Sequence, residues 1–449
     1  MPQAPRPEPA PSPVVPAAAW AIWAAAAAAR LGVALTWGVL PDEAYYWMWG
    51  QAPALGYYDH PPLLAWLLAP LPATVAVRLP GWALVTAGHA ALVATDDTPT
   101  PTSALLAVLP PLWLFGTLAT PDAPLLGLWM LAIAAARRGW WSAVAPLGAL
   151  AFLAKYPGLA IAPLLWWSAP PGLWRRRDHW AGLALAAGLV LPHLAWSIVH
   201  GHPALGFQAA HGLGGDGIRW YGPLTLAGAQ LALSGGVLGL AALAVLWQER
   251  GHRAWWVSAP ILALFAAASL RAPSEANWVA PAWVGLALLL ARSVGPVRRM
   301  MQTGVWVALL LSLLVVVHVR WPLVPSPTDP ALRLHTGQRF AGTAAKFVQP
   351  VGDEPPRPVW TERYQEAAWL RFHLGLEARV WAGCGRPNQL DARADGTEAW
   401  FIRPATGGPP TCMEADWEVV RRRTVTEHVP DGRRVGAWDI FLLRRLAPH

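Results

Sequence analysis

The chain is short of charged residues, and lysine is almost absent. Asp, Glu, Lys and Arg make up 13% of its 449 residues, whereas charged residues form about 25% of a typical soluble protein. Lysine occurs only at Lys155 and Lys346, so the formal charge of +8 rests almost entirely on arginine. This composition excludes an ordinary soluble protein. The chain also has no basic module with interleaved aromatic residues, and we therefore expect no binding of nucleic acid.

Cysteine is scarce as well. Only Cys384 and Cys412 occur, both in the polar C-terminal part of the chain. One disulfide is compatible with these positions if that part faces an oxidising compartment. Two free thiols are the alternative, and the sequence leaves both open.

Apolar residues are abundant: 55% of the chain is hydrophobic, and it contains 30 tryptophans. Many apolar runs approach the ~20 residues that cross a bilayer as a helix. We therefore predict an α-helical polytopic membrane protein with about 11 spans. The predicted spans are 17–38, 78–95, 101–119, 122–137, 140–154, 156–169, 180–198, 224–247, 255–270, 278–292 and 303–321. The proline-rich residues 1–16 are predicted to be a disordered tail, and the short run 61–72 a helix in the membrane interface.

Arginine recurs in every second predicted loop, at 137–138, 175–177, 250–253 and 292–299. An excess of arginine marks the cytoplasmic side of a membrane. The N-terminus is then cytoplasmic, and the intervening loops face outward. One loop, TDDTPTPT at 95–102, lacks the expected arginines.

The composition changes after residue 321. The stretch TERYQEAAWLRFHLG has the pattern of an amphipathic helix, while ARVWAG, EAWFIRP and AWDIFLLRRL are typical of strands. We predict a small extracytoplasmic α/β domain at 322–449, following a membrane domain at 17–321.

Carboxylates are concentrated where the chain first emerges on the outer side. The stretch PDEAYYWMWGQAPALGYYDHPP contains Asp42, Glu43 and Asp59, and Asp122 follows on a later outward loop. Charged groups at the membrane must be solvated, paired or functional. The alternative is that Asp42, Glu43 and Asp122 begin helices, where acids complement the helix dipole. The tyrosines and tryptophans nearby are predicted to form mainly an interfacial aromatic belt, although some could stack on a sugar ring.

The single lysine of the membrane part lies in the apolar run LAFLAKYPGLAIAP, where a charge is costly. At the outer end of a span, Lys155 is suited to bind a compact anion such as phosphate. Snorkelling of its ammonium group to the interface is the alternative. Arg271 is a secondary candidate for contacts with phosphate or acceptor.

A series of short motifs resembles a known family of enzymes. The motifs are PDEAYYWMW, YYDHPPLLAW, RLPG, TPDAPL, LAFLAKYPGLAIAP, FQAAHG, EANWVAPAW, RYQEAAWLRFHLG and RPNQLD. In this order, over about residues 30–392, they resemble bacterial glycosyltransferases of the dolichyl-phosphate-mannose–protein mannosyltransferase type. Those enzymes belong to the GT-C superfamily, which also includes the aminoarabinose transferases of lipid A.

The resemblance implies transfer of a sugar from a polyprenyl-phosphate donor, with inversion, at the outer face of the bacterial inner membrane. It implies that Asp42 is the catalytic base, with Glu43 as its catalytic neighbour, and that Lys155 binds the donor phosphate. His60 stands in DHPP, where the lipid A enzymes tend to carry a lysine. The residues predicted to contact substrate are Tyr58, Asp59, His60, Asp122, Lys155, Tyr156, His211 and Arg271.

A lipid monophosphate held by cations is already a good leaving group, so no cofactor is predicted to be required. His200, His202 and His211 share one outer loop, which is a weak pattern for a metal site.

The acceptor can be a lipid, a glycan or a protein. A transporter or lipid flippase is the competing class, and it predicts repeats and polar breaks at the bilayer midplane; no internal repeat is visible. A non-catalytic membrane assembly factor is a further alternative.

The arginine pattern makes a direct prediction about sidedness. A cysteine introduced at Gly352 should react with a membrane-impermeant maleimide in intact spheroplasts, because 322–449 faces outward. A cysteine at Arg176 is the matched control and should react only after lysis. The reverse pattern would place the carboxylates in the cytoplasm and contradict the predicted mechanism.

Overall fold

A computed structural model describes most of the chain. The described residues are 15–167, 169–215, 217–321, 323, 326, 329–350, 356–384, 386–392, 396–406, 412, 417–429 and 432–446. Residues 1–14 of the predicted tail and the labelling position Gly352 lie outside these ranges. The first helix begins at Ala17.

The part up to residue 321 is helical. Its α-helices, within the described residues, are α1 Ala17–Thr36, α2 Pro41–Gly50, α3 Leu63–Leu68, α4 Leu79–Val93, α5 Pro99–Val108, α6 Pro110–Phe115, α7 Asp122–Arg137, α8 Trp141–Ala154, α9 Ile161–Trp166, α10 Arg177–Val199, α11 Pro203–Leu213, α12 Gly222–Leu233, α13 Val237–Gln248, α14 Arg253–Trp256, α15 Ala259–Ser269, α16 Ala280–Arg292 and α17 Gly295–Arg320. Short 3-10 helices occur at Val75–Arg78, Tyr156–Ala160 and Leu173–Arg175.

Among the described residues, three helices are long and apolar enough to cross a membrane: α1, α10 and α17. The pair α12 and α13 passes the same test together, although it is bent by 117°. The predicted helical membrane part is therefore present, but its count of about 11 spans is not confirmed.

Proline and glycine divide several of the predicted spans. The run 101–119 breaks at Leu109, because a residue before proline avoids the helical conformation and Pro110 follows. The run 224–247 breaks at Gly235 and Gly236, both at positive φ, which glycine adopts without strain. Residues 156–169 begin as a 3-10 turn. Apolar composition alone does not reveal these breaks.

The C-terminal part is an α/β domain built on one six-stranded sheet, and α18 (Arg333–Val348) leads into it. The strands are β1 Val359–Thr361, β2 Ala378–Trp381, β3 Asp391–Ala392, β4 Glu398–Pro404, β5 Trp417–His428 and β6 Arg434–Arg445. The sheet order is β3-β2-β1-β4-β6-β5. The pairs among β3, β2, β1 and β4 are parallel, whereas β6 is antiparallel to both β4 and β5. Helix α19 (Tyr364–Leu374) packs against β1, β2 and α18.

The predicted helix and the three predicted strands of this domain correspond to α19, β2, β4 and β6. The long strand β5 was not predicted from its sequence. It lies at the edge of the sheet, and most of its residues are exposed on both faces. The alternation of apolar and polar residues that marks a half-buried strand is therefore missing from it. Cys384 and Cys412 form a disulfide, with their Cα atoms 5.3 Å apart, which resolves the alternative that the sequence left open.

The domain shares a hydrophobic core with the acid-rich segment at 41–62. Tyr45, Trp49 and Tyr57 of that segment are at most 2% exposed and belong to one cluster with Phe340 and Leu370 of the domain. These aromatic side chains are not an interfacial belt, because protein rather than lipid surrounds them. Helix α3, predicted to lie in the membrane interface, is likewise mostly buried within the protein.

Candidate active site

Helix α2 presents the first two acids of the site. Pro41 stands at its first position, and Asp42 and Glu43 occupy its first turn. Proline and acids are favoured there, since proline needs no hydrogen-bond partner for its nitrogen and acids complement the helix dipole. The predicted helix start is therefore present. The contacts of the two acids nevertheless differ completely.

Glu43 is fully buried and saturated with hydrogen bonds. Its carboxylate accepts two from Arg78, at 2.7 Å from Nε and 2.5 Å from Nη2. The backbone amides of Leu40 and Ala119 donate the other two, at 3.0 and 2.7 Å. Arg78 also donates to the carbonyls of three residues at the end of α1, namely Ala34, Trp37 and Gly38. These contacts favour a structural role for Glu43 over the catalytic role predicted for it.

Asp42 is held from the C-terminal domain. The hydroxyl of Tyr364, at the start of α19, donates to Asp42 Oδ1 at 2.7 Å. Burial raises the pKa of Asp42, while the Tyr364 hydroxyl and the charge of Arg386 act to lower it. Burial also raises the pKa of Tyr364, and the Asp42 charge raises it further. The tyrosine hydroxyl therefore remains protonated and leaves the carboxylate as the acceptor.

Asp59 pairs with an arginine that also comes from the domain. Arg386 approaches its two carboxylate oxygens at 3.1 and 3.4 Å. The guanidinium lies over the rings of Tyr364 and Phe207, 4.4 and 4.9 Å from their centroids. Burial raises the pKa of Asp59, and Arg386 counteracts that rise. The backbone carbonyl of Asp59 accepts a hydrogen bond from Gln208 Nε2 at 2.9 Å. This contact places α11 next to Asp59.

Asp122 and Lys155 form a buried ion pair. Lys155 Nζ lies 2.8 Å from Asp122 Oδ1, and Asn277 Nδ2 donates to Oδ2 at 2.9 Å. Lys155 is an extended residue between α8 and the following 3-10 turn, and Asp122 begins α7. A cation after the end of one helix and an acid at the start of another both match the helix dipoles. The lysine is paired inside the protein rather than snorkelling.

His60 lies among these groups. It is 9% exposed, and its ring meets that of Tyr46 edge-on at 5.8 Å. Burial lowers its pKa well below the usual value, and the charges of Lys155, Arg386 and His211 lower it further. Both effects favour the neutral form of His60. Its Nδ1 is buried and has no hydrogen-bond partner among the described residues.

The other predicted contact residues lie around this cluster with varied partners. The Tyr58 amide donates to Gln389 Oε1 at 3.0 Å, and the Tyr156 hydroxyl lies 3.5 Å from His193 Nε2. His211 Nε2 lies 3.2 Å from Glu275 Oε1.

Arg271 differs from these residues. It is exposed, on the same loop as Asn277, and its side chain has no hydrogen bond or ion pair with any residue the structure describes. Its predicted contact with substrate stays a prediction.

The residues that sequence reasoning missed are Tyr364, Arg386, Gln208, Asn277 and Gln389. Each lies in one of the motifs that carried the resemblance, namely RYQEAAWLRFHLG, FQAAHG, EANWVAPAW and RPNQLD. The motif matches were therefore the available signal, but no spacing or charge pattern assigned these side chains to a site. No group of three or more His, Cys, Asp or Glu that could hold a metal ion occurs in the described part of the chain.

The cluster is chemically suited to a displacement at a phosphorylated carbon. It has a carboxylate, Asp42, whose pKa is raised by burial, and a raised pKa brings a carboxylate closer to the range in which a general base works. It also has two cationic side chains, Arg386 and Lys155, each balanced by one acid. Cations so arranged can stabilise the charge of a departing phosphate.

Comparison with known proteins agrees with this description. No protein-family model matches the chain. Lipid A galacturonosyltransferase RgtD from Rhizobium johnstonii is 29% identical to it over 282 residues, which are 55% of this chain and 59% of RgtD. The chain thus matches somewhat less than two thirds of the length of this curated relative.

Two crystal structures of ArnT from Cupriavidus metallidurans superpose on almost the entire chain. The structure bound to undecaprenyl phosphate has a TM-score of 0.59 at 15% identity and covers 97% of this chain and 100% of ArnT. The apo structure has a TM-score of 0.59 at 16% identity and covers 96% of this chain and 99% of ArnT. The chain has the ArnT fold. The resemblance predicted from the motifs is confirmed: the chain is similar to a lipid A glycosyltransferase in sequence and to ArnT in fold.

The ion pair between Lys155 and Asp122 can be tested by a double-mutant cycle. Lys155→Met leaves a buried carboxylate with only Asn277 as partner, and losing one side of a buried pair typically costs about 3–5 kcal/mol of unfolding free energy. The double variant Lys155→Met/Asp122→Asn should lose clearly less than the sum of the single variants. The measurement is the unfolding free energy of the purified protein in detergent.

The matched control is the exposed pair of Arg176 and Asp178, whose side chains are 43% and 47% accessible. Arg176→Met should leave stability almost unchanged, because exposed pairs are screened by water. Additive effects of the Lys155 and Asp122 substitutions would contradict the pairing.

Proposed function

We propose that this protein is a membrane glycosyltransferase that moves a sugar from a polyprenyl-phosphate donor to a glycolipid acceptor of the lipid A type. The observation that carries the proposal is the cluster around Asp42, which lies at one end of an ArnT-type fold. The relative RgtD is a lipid A galacturonosyltransferase, and one ArnT structure contains undecaprenyl phosphate. Both support a lipid-linked donor and a lipid acceptor here.

The proposed reaction is an inverting displacement with Asp42 as general base. The acceptor hydroxyl attacks the anomeric carbon from the face opposite the phosphate, forming the new glycosidic bond. Its proton passes to Asp42, whose Oδ1 already accepts from Tyr364, so Oδ2 is the free acceptor. The bond between the anomeric carbon and the phosphate oxygen breaks, and the electron pair leaves with the polyprenyl phosphate.

Lys155 is proposed to bind the donor phosphate, as the sequence predicted. Its ammonium has three donors, and Asp122 takes one of them, which leaves the others for a ligand. Asp122 and Asn277 then act as positioning residues that fix the direction of the ammonium. Arg386 is the second cation of the site and lies near Asp42.

We further infer that the site faces away from the cytoplasm at the inner membrane. The arginine-rich loops support this orientation, because they lie at the other ends of the helices that carry the site. A transporter would need its polar groups near the bilayer midplane. Here the acids and cations gather beside the C-terminal domain instead, which favours transfer at one membrane face.

The proposal is tested first by Asp42→Asn. Positioned proton transfer typically contributes 10²–10⁴-fold to a rate, so transfer should fall by roughly that factor, while expression and thermal stability stay near wild type. The assay measures conversion of a lipid A acceptor with a polyprenyl-phosphate sugar donor, by mass spectrometry. Glu377→Gln, on the surface of the domain, is the control and should keep full activity. Near-wild-type transfer by Asp42→Asn would exclude this carboxylate as the base.

A second test uses the pH dependence of transfer. The Tyr364 hydroxyl stabilises the charged form of Asp42 and so lowers its pKa. Tyr364→Phe removes that hydrogen bond, and the pKa of Asp42 should rise. The base acts in its charged form, so activity is lost as the pH falls through this pKa. The acid limb of the pH–rate profile should therefore move to higher pH, with activity recovering as the pH increases.

The comparison that decides this second test is the ratio of variant to wild-type rates across the pH range. A purely structural role of Tyr364 would lower the rate by the same factor at every pH. A constant ratio would thus contradict the proposed contact between Tyr364 and the base.

A further inference from the structure

A cavity of about 910 Å³ lies apart from the residues of the candidate active site. It is enclosed by the end of α1, the end of α17 and the first turns of α18. Its lining residues are Thr36, Trp37, Gly38, Val75, Val316, Val317, Val319, Arg320, Trp321, Leu334, His335, Gln338 and Arg339. None of them belongs to the cluster around Asp42.

The floor of the cavity is apolar. Trp37 and Leu334 are core residues of one small hydrophobic cluster, and Val316 and Val319 pack against it. The rim of the cavity lies at the surface of the protein, where Val317 is 37% and Trp321 62% exposed. Both rim residues lie at the end of α17, one of the three helices able to cross a membrane. The cavity is therefore reached from the side of the protein where α17 leaves the bilayer.

The polar lining is basic. None of the lining residues is acidic, whereas Arg320, His335 and Arg339 are all present. Arg320 stacks on Trp321 at 5.0 Å, and its guanidinium has no hydrogen bond or ion pair with any described residue. Arg339 uses only Nη1, which donates to the His428 carbonyl at 3.0 Å. Most N–H donors of the two arginines thus have no hydrogen-bond partner within the described residues.

The acid nearest in sequence to Arg320 and Arg339 is already neutralised. Asp329 precedes α18 and lies 3.0 Å from His318 Nε2 and 2.6 Å from Arg433 Nη1. It cannot serve as the counter-ion of the cavity without giving up these partners. Arg320 and His335 are exposed and Arg339 is half-buried, so an anion in the cavity can reach both guanidinium groups directly.

We propose that this cavity binds a phospholipid with an anionic headgroup, separate from the donor and the acceptor. The phosphate lies against Arg320 and Arg339, and the acyl chains run over Val316, Val317 and Val319 along α17. The cavity combines an apolar wall, the two tryptophans Trp37 and Trp321, and two arginines that form no ion pair with the described residues. These groups lie where a spanning helix ends, and together they match the chemistry of such a lipid. A soluble anion would not require the apolar wall.

The bound lipid also braces the segment that positions the active site. Gly38 packs so closely on the first turn of α18 that a Cβ there would overlap the Leu334 carbonyl. The Gly38 carbonyl accepts from Arg78 Nη2 at 2.7 Å, and Arg78 holds Glu43. A lipid in the cavity therefore stabilises the segment around Gly38 that leads into α2 and its two acids.

The test is lipid binding by the full-length protein, without donor or acceptor. Native mass spectrometry in detergent should show that phosphatidylglycerol binds more tightly than phosphatidylcholine. Juxtamembrane basic residues contribute about 1 kcal/mol each, or about fivefold in affinity. The double variant Arg320→Gln/Arg339→Gln should therefore bind phosphatidylglycerol roughly 25-fold more weakly. Val319→Trp, which fills the cavity without changing its charge, should also lose binding.

Arg298→Gln/Arg299→Gln, at the opposite end of α17, is the matched control and should retain the affinity of the wild type. Equal binding of the two lipids, or unchanged binding by the cavity variants, would overturn the proposal. So would equally tight binding of soluble glycerol phosphate, since that would make the apolar wall irrelevant. The readout involves no transfer reaction, and its failure is thus distinct from failure of the proposed transferase.

Discussion

The buried ion pair of Arg78 and Glu43 holds together the segments on which the candidate active site is built. Both side chains are completely inaccessible to solvent. Removing two charges from water is costly and is offset only where the remaining donors and acceptors are satisfied. Here the end of α1, the start of α2 and the residues before α7 supply those partners. The pair therefore fixes where α2 starts, and with it the position of Asp42.

The C-terminal domain completes the site rather than standing apart from it. Tyr364 binds Asp42, and Arg386 binds Asp59, although each pair is more than 300 residues apart in the chain. The guanidinium of Arg386 reduces the electrostatic repulsion between Asp42 and Asp59. It also stacks on Tyr364, so the contacts of the domain with the two acids depend on each other. Movement of this domain would alter the contacts of Asp42 and Asp59 together, so the candidate site is built from both parts of the chain.

The loop that departs from the arginine pattern has a structural explanation. Asp96 is fully buried and pairs with Arg137 at 2.5 Å, and Asp97 pairs with Arg292 at 3.0 Å. The acids of the loop at 95–102 thus neutralise arginines of two neighbouring loops on the same side. These ion pairs place the loop beside two arginine-rich loops, as expected if all three lie on the same side of the membrane.

The sequence by itself determined the helical membrane part, the α/β domain and the concentration of acids at 41–62. These follow from apolar runs, periodicity and composition, which act over a few neighbouring residues. Only the tertiary structure decided that Glu43 pairs with Arg78, that Lys155 pairs with Asp122, and that Tyr364 and Arg386 reach the acids of the first loop. The partners in these pairs are separated by 33 to 327 residues. Such contacts depend on how distant helices pack and where prolines and glycines break them, and no local pattern encodes that arrangement.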